Sequence, residues 1–394
     1  MRVAIVCDWF LPRFGGIEFH LRDLAVHLKR AGVDVEILTP VPGPALVEGV
    51  TIRRLCDETR PNGGYMFPPP PQATSLGDFG FYLDMFFGRR KPTAYRRLQG
   101  ILTPERYDLA HIHFSNSPFA FAAARHAIAV GLPVLTTFHS LIAHVQIVAA
   151  LALRYSLSIP AWPVRHTAVS SVAARSLRPL LGPAPVGILH NGTDGGYWSS
   201  GADRAVAGPV EIVAAGRLHK RKRLDALVDI ATGLAARCPD PGFRLTIAGD
   251  GPEMSGLERR IRQHRAEKHI VLAGRLSPAQ LRALYGKAQV FVAPAHLESF
   301  CLAALEARYA GLPVIAMTDT GARDFLRPGA DSILCEDDAE FADALERFLD
   351  DGALRQRLRM EAAQPPVGFD HVDVANAHKR VYEEVLADGR LKLA

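Results

Sequence analysis

The sequence predicts an α/β protein of two Rossmann-like domains, each a parallel sheet covered by helices, the two sheets facing a cleft. Short buried runs alternate with amphipathic stretches, the alternation restarts past the middle of the chain, and a turn-rich stretch separates the two series. A chain of 394 residues also exceeds one ordinary core, so two domains of about 150–200 residues are expected.

Residues 3–7 have the pattern of a buried strand. Over 17–30, Ile17, Leu21, Leu24, Ala25 and Leu28 share one helical face, and Gly32 stops that helix. Strand 35–38, strand 108–114, helix 120–130 and strand 134–138 follow. The second series alternates strands 210–215, 244–248, 270–273, 290–293 and 313–316 with helices 224–236, 254–265, 278–286 and 299–310. Between them, residues 190–196 (HNGTDGG) lack periodicity and mark a boundary. The expected domains are therefore 1–193 and 194–373, with a last helix, 374–394, following Pro365-Pro366 and packing back on the first. Ligands of parallel sheets lie beyond the carboxyl ends of the strands. Most motifs of this chain fall there.

A net charge of +5 falls short of a nucleic-acid-binding footprint but suits an anionic ligand or membrane surface. The five cysteines are scattered without CxxC spacing, which predicts neither a disulfide framework nor a zinc site and points to a reducing compartment. The amino terminus enters a strand-like run without signal-peptide anatomy. Residues 126–153 carry no Asp, Glu, Lys or Arg, but Gly131, Pro133 and several polar residues break the run, which reads as buried strand and loop. A cytoplasmic protein is expected.

The run Gly216-Arg217-Leu218-His219-Lys220-Arg221-Lys222-Arg223 follows a strand and opens a helix. The positive end of a helix dipole disfavours each exposed cation there by a few tenths to about 1 kcal/mol. A diphosphate seated among these side chains and helix amides would offset that cost. The bland reading is a solvated basic loop. In the run from Glu298 to Glu306, Ser299 is expected to cap a helix, with Glu306 about 12 Å further along at about 1.5 Å per residue. Glu306 shares a face with Leu302, Ala303, Tyr309 and Ala310, so it is expected to point inward, where a ribose diol could satisfy it. Taken singly, each glutamate also reads as structural: one favoured by a helix dipole, the other a buried ion-pair partner.

Gly15-Gly16 lets the backbone approach a ligand at a helix start, but the loop is not GxGxxG, which disfavours a nicotinamide enzyme. His139 follows a strand and is a candidate for the reacting centre, whereas His111 and His113 read as structural. Gly249-Asp250-Gly251-Pro252 and Gly321-Ala322-Arg323-Asp324 are strand-end loops that ordinary turn chemistry also explains. Asp337-Asp338 and Asp350-Asp351 read as helix-starting surface residues, and no Asp-x-Asp stands in a strand-end loop to hold a divalent metal. Residues 79–97 mix aromatics with a basic tail, fitting either a membrane interface or a segment packed on the first domain.

Together these residues resemble the family-4 retaining glycosyltransferases of the GT-B fold. The resemblance runs through Gly15-Gly16, Asn191-Gly192, Gly216-Arg217 to Lys222, Gly249 to Pro252, Glu298 with Glu306, and Gly311-x-Pro313-Val314. The first half, from His113-Phe114-Ser115 to Phe138-His139-Ser140, is similar to phosphatidylinositol N-acetylglucosaminyltransferases, with phosphatidylinositol mannosyltransferases as near relatives. The resemblance implies an acceptor-binding first domain and a nucleotide-sugar-binding second domain. It implies that Arg217 and Lys222 hold the diphosphate, Glu298 the transferred sugar and Glu306 the ribose, with His139 by the anomeric centre. Gly16, Gly251 and the backbone of Phe300, Cys301 and Leu302 would complete the donor site. It further implies configuration-retaining transfer of a hexose or N-acetylhexosamine, without metal or cofactor, from a UDP- or GDP-linked donor to a glycan, lipid or small molecule. Cys301 and Arg223 stand where the family usually has Gly, and Thr320 to Asp324 departs from its Gly-Gly-x-x-Glu, which leaves the sugar open. The alternatives are a nucleotide-sugar epimerase, a non-catalytic nucleotide-sugar-binding protein, and a membrane-surface protein that uses its basic segments.

Overall fold

The computed structural model describes residues 1–13, 15–56, 93–115, 118–142, 147–199, 208–237 and 242–393. The chain divides into two units, Met1–Gly192 with His371–Ala394, and Thr193–Asp370.

The first unit carries strands β1 (Arg2–Cys7), β2 (Asp34–Thr39), β3 (Leu46–Val47), β4 (Val50–Arg54), β5 (Leu109–Phe114), β6 (Val134–Phe138), β7 (Arg165–Ala168) and β8 (Val186–Ile188). They form one sheet in the order β3-β4-β2-β1-β5-β6-β7-β8, parallel except for β3–β4. Strands β5 and β6 are buried at every residue, as expected of a parallel sheet covered on both faces. The β3–β4 hairpin, absent from the sequence reading, turns at Glu48 and Gly49 with φ of 47° and 79°, the paired positive values that a two-residue hairpin loop demands.

Helix Gly16–Arg30 buries Leu21, Leu24 and Leu28 in the core. The carboxyl-terminal helix, His371–Leu393, packs on it, adding Val374, Ala375, Tyr382 and Val385 to the same core, while Lys379 Nζ donates to the Ala31 carbonyl at 2.9 Å. That helix starts three residues earlier than expected: Asp370 is pinned by its bridge to Thr193 and by the Gly195 N–H at 3.0 Å, and the chain turns helical directly after it. The apolar stretch read as strand and loop also contains most of a helix, Ile147–Leu157, where Ala and Leu without Gly or Pro favour helix. Residues 79–92 of the aromatic–basic segment lie outside the described residues, and its tail enters the helix Thr93–Ile101. Among the described residues no helix is long and apolar enough to cross a membrane.

The second unit carries β9 (Val210–Ala215), β10 (Phe243–Ala248), β11 (Ile270–Gly274), β12 (Val290–Ala293), β13 (Val314–Met317) and β14 (Ser332–Cys335). Its sheet, β11-β10-β9-β12-β13-β14, is wholly parallel. Its core packs Ile212, Leu245, Ile247, Val290 and Ile315 against Leu227 and Val228 of helix Leu224–Arg237 and Phe341 and Leu345 of helix Asp338–Asp350.

Candidate active site

In the second sheet the strand order reverses between β9 and β12, so the connections leave in opposite directions and open a crevice at the strand ends. A pocket lies there. Ala215 and Gly216 line it from the end of β9 and Ala293 and Pro294 from the end of β12; Arg217, Lys222, Glu298 and Cys301 complete it.

The fold sorts the cationic run. Lys220–Lys222 form a 3-10 turn and the α-helix starts only at Leu224, so the cations precede the helix rather than occupy its first turn, as the sequence reading had expected. Arg223 takes a left-handed φ of 53° and donates twice to Asp338, at 2.7 and 2.5 Å, leaving the pocket to Lys222 and the exposed Arg217. Asp338 therefore anchors the end of the loop, a role its helix-starting position did not reveal.

Lys222 Nζ donates to Glu298 Oε2. Burial alone would raise the Glu298 carboxyl, but the Lys222 charge and hydrogen bond outweigh it, aided by Arg221 and the Phe300 backbone N–H, and hold it below the usual range. Burial opposes the Lys222 ammonium in turn, and Glu298 raises it. Both groups are thus charged at neutral pH.

The loop carrying Glu298 is fixed from two sides. Phe300 packs on Phe325 and Phe369 with ring centroids at 5.5 and 6.2 Å, and the Gly321 N–H donates to the Glu298 carbonyl at 2.9 Å. Ser299 does not cap the next helix, which runs Leu302–Tyr309 from an N-cap at Cys301, itself left-handed at φ 70° and making no side-chain cap bond. Glu298 therefore lies off the helix, and helical rise does not set its spacing from Glu306. The Phe300 backbone N–H, expected in the donor site, also helps to hold the Glu298 carboxylate charged. Cys301 lines the pocket with its thiol pushed up to about 12 by burial and then by Glu298, so it is a neutral wall. Leu302 opens the helix with an amide that has no partner four residues back along the helix.

Glu306 is less enclosed than expected. The buried face of its helix is Ala304, Leu305, Ala307 and Arg308, whereas Glu306 is half-buried beside Leu302, Ala303 and Tyr309. Its charge, after burial, helps to raise the Tyr285 phenol.

The Gly249–Gly251 loop braces the basic loop. A β-carbon on Gly249, whose φ is +148°, would stand 1.8 Å from the Gly216 carbonyl oxygen, and one on Gly251 would stand 2.3 Å from that of Leu218. Two backbone bonds join the loops, Gly216 N–H to Ala248 O and Leu218 N–H to Asp250 O, each 3.0 Å. Gly251 thus has a packing reason to be glycine and does not line this pocket.

In the first sheet the order reverses between β1 and β5. At those strand ends Ser115 Oγ donates to the buried carboxylate of Asp8 at 2.8 Å, a pair the sequence reading missed although both residues directly follow strands. Gly16 opens its helix, whose first turn carries the buried Glu18 with Arg13 Nε at 3.4 Å. His139 directly follows β6, its N–H on the Phe114 carbonyl at 3.0 Å, inside a buried group with His20, His111, His113 and His378. Burial, then the charge of His378, lowers His139 to about 3. Among the described residues no group of three or more His, Cys, Asp or Glu is placed to hold a metal ion.

Two parallel sheets, each with polar groups at its reversal point, are the architecture of the GT-B glycosyltransferases. Anabaena HepE in complex with UDP and glucose shares this fold, with a TM-score of 0.71 over 97% of this chain and 99% of that one at 16% identity. Residues 14–195 match Glycosyltransferase Family 4, and residues 203–364 match Glycosyl transferases group 1. The chain therefore carries a Glycosyltransferase Family 4 domain followed by a Glycosyl transferases group 1 domain and is a glycosyltransferase enzyme, with a nucleotide-sugar donor and an acceptor as its substrates. It is 28% identical to the glycogen synthase of Mycobacterium tuberculosis over 97% of this chain and 94% of the relative. It is 25% identical to the phosphatidylinositol N-acetylglucosaminyltransferase gpi3 subunit of Schizosaccharomyces pombe over 99% and 82%.

Proposed function

We propose that the protein transfers a hexose or N-acetylhexosamine, with retention of anomeric configuration, from a UDP- or GDP-linked donor to a glycan or a membrane lipid at the cytoplasmic face. The observation that carries this reading is the charged Lys222–Glu298 pair, with Arg217 beside it, at the reversal point of the second sheet. A pyrophosphate there meets Lys222, Arg217 and the Gly216 backbone, and Glu298 is left to accept hydrogen bonds from sugar hydroxyls. Glu306, half-buried on the next helix, takes the ribose diol.

As the acceptor oxygen bonds to the anomeric carbon, the bond from that carbon to the β-phosphate oxygen breaks. The acceptor proton passes to the departing phosphate on the same face. Arg217 and Lys222 stabilise the charge that develops on the diphosphate, which is where such enzymes gain most of their rate. His139, directly after β6, donates to a substrate oxygen. The names of the relatives support a glucosyl or N-acetylglucosaminyl donor, and HepE with UDP and glucose supports uridine.

Calorimetry with UDP-glucose, UDP-N-acetylglucosamine and GDP-mannose in EDTA, followed by NMR of the product anomer, tests the reading. Sub-millimolar binding and a retained anomer are expected; an inverted product overturns the mechanism. Donor conversion without an acceptor, yielding an epimeric sugar nucleotide, overturns the reaction itself.

A further inference from the structure

His113 Nδ1 and His139 Nε2 meet at 2.8 Å, with the two buried rings stacked at 5.1 Å between centroids. Two neutral imidazoles at that distance share one proton, so one donates and the other accepts. The remaining nitrogens, His139 Nδ1 and His113 Nε2, are buried and have no hydrogen-bond partner among the described residues.

Neighbouring His111 is saturated. Its Nδ1 meets Tyr382 Oη at 2.8 Å and its Nε2 meets Thr137 Oγ1 at 2.7 Å. Thr137 Oγ1 lies 2.7 Å from Thr167 Oγ1, which donates to the Thr136 carbonyl at 2.8 Å. All four bonds form together only when Tyr382 donates to His111, His111 donates from Nε2, and Thr137 donates to Thr167. The fold completes His111 and leaves one ring nitrogen each of His20, His113, His139 and His378 without a hydrogen-bond partner among the described residues, and of these four only His139 directly follows a strand end.

We propose that His113 is a positioning residue for the transfer: by donating from Nδ1 to His139 Nε2, it fixes the His139 ring with its own proton on Nδ1, directed to a substrate oxygen. The direction follows from what remains once a ligand engages His139. One polarity leaves His113 a bare acceptor, the other leaves it a buried N–H, and the orphaned N–H is the rarer and costlier state. His139 then works as a neutral donor, with no charge to desolvate. The inference deepens the role given to His139 above and rests on it.

Long-range nitrogen–proton correlation spectra of histidine-labelled protein at pH 7.5 read the tautomer directly, without substrate. A single Nδ1–H form of His139 is expected; an Nε2–H form overturns the proposal even if every variant fails to fold. Kinetics with UDP-glucose, UDP-N-acetylglucosamine and GDP-mannose give the second readout. His113→Phe should lower kcat about tenfold or more with donor KM little changed. His113→Asn, whose amide nitrogen stands near the lost Nδ1, should recover most of that loss, and His113→Gln should not. In a His139→Ala background, His113→Phe should add nothing; an equal loss there reduces His113 to a packing residue. If His139→Ala itself keeps full activity, the role of His139 falls; if His139→Ala is impaired and His113→Phe is not, only the present inference falls.

Discussion

Lys222 and Glu298 hold each other's charge across a pair whose side chains are 22% and 11% exposed. Enclosing two charges costs desolvation that their mutual attraction seldom more than repays. The arrangement makes sense where a third charged group is to be received. Lys222→Ala is expected to weaken UDP or GDP binding by about tenfold or more and to destabilise the second unit by about 1–3 kcal/mol, because Glu298 loses its counter-charge. Adding Glu298→Gln should restore stability and leave nucleotide affinity low. Calorimetry and urea denaturation separate the two effects, and unchanged nucleotide affinity in Lys222→Ala would remove the diphosphate assignment.

The two glycines of the Gly249–Gly251 loop predict a defect without any loss of charge. At Gly249 a methyl group meets the Gly216 carbonyl at 1.8 Å in a backbone conformation of φ +148°, so the basic loop has to move. Gly249→Ala should destabilise by about 2–4 kcal/mol and weaken nucleotide binding, although the substituted residue lies outside the pocket. Alanine at Gly256, inside the helix Met254–Gln263 where a β-carbon meets nothing within 4 Å, is the control and should be neutral or stabilising by up to about 1 kcal/mol.

Cys301 occupies a left-handed position at φ 70° in the pocket wall. A β-branched residue tolerates that region worst, so Cys301→Val should cost about 2 kcal/mol. Cys301→Gly exchanges the lost thiol packing for relief of backbone strain and should remain within about 1 kcal/mol of the parent. It also widens the pocket where the sugar is proposed to sit, and should broaden the range of donors accepted in a competition assay. Equal stabilities of the valine and glycine variants would argue against the left-handed conformation.

The two strand–helix series and the basic loop are legible in the sequence because they rest on short-range signals: apolar periodicity for the elements, unlike-neighbour chemistry for Arg217 and Lys222. What escaped the sequence depends on distant partners. Asp338 lies 115 residues from the Arg223 it anchors, and Ser115 lies 107 residues from Asp8. His113 looked like any buried strand histidine until β6 set His139 against it. The helix beginning at Leu302 was placed too early because Ser299 has cap chemistry, whereas the pocket requires an irregular turn at Phe300 and Cys301. Functional loops are where local rules give way to tertiary contacts.

The histidine group of the first unit sets its acid stability. His20, His111 and His113 are held well below their ordinary value by burial and then by the charge of a neighbouring histidine, His139, His378 and His111 respectively. Burial likewise lowers His139 to about 3 and both His166 and His378 to about 4. In the unfolded chain the same rings bind protons near pH 6.5. Above that pH both states are neutral and the group adds no pH dependence. Below it the unfolded state binds protons that the folded state refuses, so stability falls as pH drops from about 6.5 towards about 4. Each ring contributes up to about 1.4 kcal/mol per pH unit across that window. Carboxylates such as Glu298, with depressed folded values, contribute their loss only lower down, below their ordinary range near 4.5. Urea midpoints should therefore be level between pH 8 and 7 and decline clearly between pH 6 and 5. His378→Phe, which removes one titrating ring from the C-terminal helix, should make that decline shallower even if it lowers the plateau. A flat midpoint from pH 7 down to pH 5 would mean that these rings charge inside the fold and that the cluster is open to water.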